Sequence, residues 1–68
     1  MRLQLNGEPF DLPDDRSWTV LGFIELLGIE SGRVAVERNR EIVRRADHID
    51  TPVEEGDAIE IVTFVGGG

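Results

Sequence analysis

The chain changes hydrophobic period in a fixed order, and that order limits it to very few folds. In "RLQLN", Leu3 and Leu5 alternate with Arg2 and Gln4, the period of a half-buried strand. Asn6-Gly7 follows, and a type I′ hairpin turn needs positive φ at both of its central positions. "EPFDL" resumes the alternation with Phe10 and Leu12, while Pro9, lacking an N–H for the ladder, suits an edge strand. The period then lengthens once: Val20, Ile24 and Leu27, joined by Leu21 and Phe23, recur at helical spacing in "WTVLGFIELLG". Thr19 is placed to cap this helix and Gly28 to end it in a left-handed conformation. Gly22 inside it costs about 1 kcal/mol relative to alanine, which a close approach of helix and sheet would explain.

After Gly28 the period returns to two. "VAVER" and "EIVRR" flank Asn39-Arg40 and read as a second hairpin, offering Val34, Val36, Ile42 and Val43 to a core. Arg40 meets a steric cost at positive φ that glycine would avoid, so a longer loop is also open. In the polar stretch "ADHIDTPVEEGD", Ile49 and Val53 are the expected apolar anchors. "AIEIVTFV" closes as a strand with Ile59 and Ile61 on one face and Glu60, Val62 and Phe64 on the other. One helix can cover only one face of such a sheet. If the last strand pairs in parallel with the first, it lies centrally and the helix supplies the crossover. The expectation is an α+β chain in the β-grasp arrangement: a domain over residues 1–65, then a flexible glycine tail, 66–68. Its uncovered sheet face leaves Val62 and Phe64 partly exposed, and exposed apolar patches mark partner sites.

Composition excludes several function classes. A chain of 68 residues with no cysteine and one histidine has neither a disulfide scaffold nor a Cys- or His-rich metal site, so its single modest core must be hydrophobic. The net charge of -7 argues against nucleic acid and anionic membrane as partners and favours a basic protein surface. Its seven basic residues are all arginine. No apolar run reaches membrane-spanning length and the start lacks a signal-peptide block, so a cytoplasmic location is expected.

Catalytic constellations are scarce. Ser17, Ser31 and His48 are the only nucleophile-and-base material, and nothing places them together. Asp14-Asp15 and Glu54-Glu55 read as solvated loop carboxylates, and Asp47, His48 and Asp50 as a polar loop before a weak metal site. Arg38, Arg40, Arg44 and Arg45 read as the solvated flanks of a hairpin before a basic patch. The chemical object that stands out is "GGG". Without Cβ atoms, Gly66, Gly67 and Gly68 can thread a narrow channel, and a carboxylate on Gly68 becomes an acyl donor once adenylated.

These segments together resemble the ubiquitin-like sulfur carriers, and among them the ThiS-type carriers of thiamine biosynthesis. The likeness covers nearly the whole chain: "LQLNGE", "TVLGFIELLG", "VAVERNREIVRR" and "EEGDAIEIVTFVGGG". It implies a protein carrier, not an enzyme, with no cofactor of its own. A ThiF-type enzyme supplies ATP and Mg²⁺ and adenylates the terminal glycine, a sulfur-relay protein brings sulfur, and a ThiG-type thiazole synthase uses the thiocarboxylate. Carried over, Gly68 bears the adenylate and then the sulfur, Gly66 and Gly67 form the threaded arm, and Val62, Phe64 and Val65 bind partners. If the chain were trimmed, Gly67 would be the reactive residue. Two positions depart from the family, which often has glycine in place of Arg40 and proline in place of Arg44. A carrier for molybdopterin synthesis or tRNA thiolation would use the same tail. A β-grasp interaction module or a protein modifier would use the same fold.

Overall fold

Asn6 and Gly7 both adopt positive φ, at 51° and 83°, and fold β1 (Arg2–Leu5) against β2 (Glu8–Asp11) as an antiparallel hairpin. The computed structural model describes residues 1–64. Asn39 and Arg40 make the second turn the same way, at 53° and 71°, so β4 (Val34–Arg38) and β5 (Glu41–Val43) are joined by two residues and not by a longer loop. The last strand, β7 (Ala58–Thr63), lies between the hairpins, parallel to β1 and antiparallel to β4, in the order β2-β1-β7-β4-β5. This is the expected β-grasp sheet, with the Pro9 strand at one edge.

Each turn asparagine also serves the central strand. Asn6 accepts a hydrogen bond from the Ile61 N–H through Oδ1 and donates one to the Ile61 carbonyl through Nδ2. Asn39 accepts from the Ala58 N–H and donates to Asp57. Asparagine tolerates the left-handed region because its short amide can bond locally. Here that amide reaches across to β7, which helps a two-residue turn form despite the strain at Arg40.

The helix α1 (Val20–Leu26) is short and satisfied at both ends. The first N–H groups of a helix have no partner within it. Val20 and Leu21 donate theirs to the Thr51 and His48 carbonyls, and Gly22 to the Thr19 hydroxyl. At the far end Gly28, at φ 75°, donates to Glu25 and Ile29 to Ile24, the paired bonds of a Schellman motif. Val20, Phe23 and Ile24 are buried against Leu3, Val36 and Ile59. A methyl group on Gly22 would meet Thr19, Arg16 and Trp18 first, at ordinary distances of 3.5 Å or more, and none of these belongs to the five-stranded sheet. Close helix–sheet approach is therefore not the reason for that glycine.

Two other expectations change, and one element is new. Ile42 is 77% exposed, because Val36 pairs with Val43 and this register turns Ile42 to the outer face. Ile49 is also exposed; the segment after β5 is anchored instead by His48, which is buried with Nε2 3.2 Å from the Val43 carbonyl. A second, two-stranded sheet of β3 (Trp18–Thr19) and β6 (Pro52–Val53) ties the start of the helix to that segment, burying Trp18 and Val53.

Candidate functional site

The helix-free face of the sheet gathers the exposed apolar side chains of three strands. On β7, Glu60 and Val62 point outward while Ile59 and Ile61 are buried, and Phe64 follows just beyond the strand. Val62 is 59% and Phe64 57% exposed. The Phe64 N–H donates to the Arg33 carbonyl, which extends the β4 pairing one residue past Thr63. Ala35 sits opposite Val62, and Glu37 lies between Glu60 and Ile42. Ile42 thus joins the patch that Val62 and Phe64 define. The two-residue turn was its available signal: it dictates which residue of "EIV" lies across from Val36.

Val62 and Phe64 are exposed, as the alternation of the closing strand predicts. Val65, Gly66, Gly67 and Gly68 lie outside the described residues, as does the boundary between domain and tail.

Several of the other candidates have structural partners. Asp14 pairs with the α-amino group of Met1, and the Glu55 carboxylate accepts from the Arg2 N–H. Arg38 is no solvated flank: its Nε donates to Asp57 at 2.7 Å and its terminal nitrogen to Glu54 at 2.9 Å. Asp57 is buried at the mouth of this network and also accepts from the Glu54 N–H and Asn39. Burial alone pushes its carboxyl up. The bonds from Arg38, the Glu54 N–H and Asn39 outweigh that and hold it below the usual carboxylate range. Arg44 and Arg45 are exposed, with the Arg45 guanidinium close to Gly32. His48 has its Nε2 against a backbone carbonyl, and among the described residues no group of three or more His, Asp or Glu side chains could hold a metal ion. Among those residues, too, no helix is long and apolar enough to cross a membrane.

Comparison with known proteins identifies the family. The sequence model of the ThiS family matches residues 3–68. The chain is 38% identical to the sulfur carrier protein ThiS of Bacillus subtilis over 66 residues, covering 97% of this chain and 98% of that one. It is 44% identical over all 68 residues to a thiazole synthase of Paramagnetospirillum magneticum, but spans only 20% of that protein's length. The same fraction holds for a thiazole synthase of Magnetococcus marinus. The crystal structure of the thiamine biosynthesis protein ThiS from Geobacter metallireducens superposes with a TM-score of 0.85 at 35% identity, covering 100% of both chains. With its whole length matched by sequence and by fold, the chain belongs to the ThiS family.

Proposed function

We propose that the chain is a sulfur carrier in thiamine biosynthesis and that its sulfur is carried on Gly68. The observation that bears most weight is end-to-end similarity to the Bacillus subtilis sulfur carrier, at 98% of that protein's length. The helix-free face adds physical support: the strand that leads toward the glycines has exposed Val62 and Phe64 for an enzyme to hold.

The carrier's own part in the reaction is positional. A carboxylate oxygen of Gly68 attacks the α-phosphate of ATP at an adenylating enzyme, with Mg²⁺ also supplied there. Pyrophosphate leaves and an acyl-adenylate forms. A persulfide sulfur on a relay protein then attacks the acyl carbon and AMP departs; a thiol next attacks the relay-side sulfur of the resulting acyl disulfide, forming a relay disulfide and releasing the thiocarboxylate. Glycines at 66 and 67 present no side chain to the walls of the enzyme's channel. With no cysteine, the chain has no thiol of its own to compete.

Thiamine is favoured over molybdopterin or tRNA thiolation by the two thiazole synthases, in each of which a segment like this chain makes up a fifth of the length. A thiazole-forming partner for the present chain follows. The test is to incubate it with a cognate adenylating enzyme, ATP, Mg²⁺ and a sulfur donor, and to record intact and peptide mass. The expected gain equals the difference between a sulfur and an oxygen atom, confined to the C-terminal peptide. An unchanged mass with an active enzyme would overturn the carrier reading. Transfer of the sulfur into a thiazole by a thiazole synthase tests the pathway assignment.

A further inference from the structure

Glu37 and Glu60 stand directly opposite each other on β4 and β7, both exposed on the helix-free face. Like charges in directly opposed positions of a sheet destabilise the pair. Some carboxylates of the chain are answered by arginine, Asp11 by Arg2, Glu30 by Arg33, and Glu54 and Asp57 by Arg38, but this facing pair is not. Among the described residues neither Glu37 nor Glu60 has an ion pair. The two carboxylates also sit inside the apolar patch. Ile42 flanks Glu37 on one side, and the next row toward Phe64 is Ala35 opposite Val62.

A second copy of the chain is a poor occupant of this face. It would set the carboxylate pair against itself between two molecules that each carry a net charge of -7. A basic partner reverses the sign of that interaction. An arginine or lysine lowered between the two carboxylates would remove their repulsion, while Ile42, Val62 and Phe64 supply the dry surround that strengthens a charge-assisted hydrogen bond. A neutral or acidic partner would have to bury both carboxylates unpaired, which rejects it.

We propose that Glu37 and Glu60 are the specificity determinants of the docking face, selecting an adenylating enzyme that places a cationic side chain between apolar contacts to Ile42 and to Val62 and Phe64. This rests on the sulfur-carrier reading. On that reading the adenylating enzyme is the occupant, because a terminal carboxylate is a poor acyl donor and must meet the activating enzyme before it can carry any sulfur. An enzyme met by diffusion gains both rate and discrimination from complementary charge.

The test is a titration of the E37Q/E60Q variant with the cognate adenylating enzyme at low and high salt, beside its thermal unfolding. The expected result is a Kd about tenfold weaker at low salt and a shallower salt dependence, because complementary charges act mainly through association rate. The thermal midpoint should stay level or rise, which separates lost recognition from lost folding. E37K/E60K should bind more weakly still. A double glutamine variant with the Kd and salt slope of the parent overturns the proposal, as does tighter binding of the lysine variant. If the double variant does not fold, Glu60→Gln alone is read by the same two criteria. A parent chain that gains sulfur while E37Q/E60Q binds unchanged loses the determinants and keeps the carrier. One that binds with the expected charge dependence but gains no sulfur loses the carrier reading alone.

Discussion

The two faces of the sheet are made from the same strands and obey different rules. On the inner face Leu3, Val36 and Ile59 are at most 1% exposed beneath α1, and on the outer face Ile42, Val62 and Phe64 are more than half exposed. β7 contributes to both, because its side chains alternate. Folding and, on the proposed docking reading, recognition therefore fall on odd and even positions of one six-residue strand. A substitution on one set is expected to be read in stability, and on the other in partner binding.

The sharpest way to break that contrast is Ile59→Ala. Its side chain is fully buried at the centre of the sheet, and the loss should be about 2–5 kcal/mol, a large part of a small domain's stability. Urea unfolding measures it; a loss below about 1 kcal/mol would mean that the core under α1 is not close-packed.

Asp57→Ala comes next, at about 3 kcal/mol, since it removes the acceptor of the Arg38 Nε, of Asn39 and of the Glu54 N–H and leaves the guanidinium with Glu54 alone. The same group gives an acid signature. Its carboxyl is harder to protonate folded than unfolded, so its stabilisation is complete above the ordinary aspartate range, about pH 4, and is lost as pH falls through the lowered folded value. Asp57→Asn should flatten that part of the acid-unfolding curve; an unchanged curve would assign the acid response to other carboxylates.

Arg40→Gly should raise stability by roughly 1 kcal/mol by relieving a left-handed residue at φ 71°. The gain would also stiffen the hairpin that holds Ile42 outward. A destabilised variant, seen as a lower thermal midpoint, would show that the arginine side chain contributes more than its backbone strain costs. The smallest effect is expected from Ile42→Ala, within about 0.5 kcal/mol of the parent, as for other surface sites. A larger loss in urea unfolding would return Ile42 to the core.

Much of this was legible in the sequence because the first hairpin, the helix and the closing strand each span enough residues to show a period. Thr19, Gly28 and Asn6-Gly7 gave chemical reasons for the boundaries, and the structure follows them. What escaped was set by register or by distant contacts. Ile42 and Val43 are both apolar and adjacent, so only the pairing across Asn39-Arg40 decides which turns inward. Ile49 looked like the anchor of its loop, yet a histidine takes that place by meeting the Val43 carbonyl and receiving the Leu21 N–H. β3 and β6 contain two residues each, too few to show any alternation. At the candidate site, Val62 and Phe64 were legible from alternation alone. The opposed Glu37 and Glu60 were visible only once β4 and β7 were aligned.

The central position of β7 has a mechanical consequence. An enzyme that draws the chain beyond Phe64 into a channel pulls along this strand. Its ladders with β1 and β4 run on both sides, and their hydrogen bonds lie across the direction of pull. They are loaded together in shear, whereas an edge strand peeled from its end would lose them one at a time. The grip of Asn6 on Ile61 and of Asn39 on Ala58 adds two further bolts. Tension from a partner is thereby spread through the whole sheet, and the domain acts as the handle by which its own terminus is held.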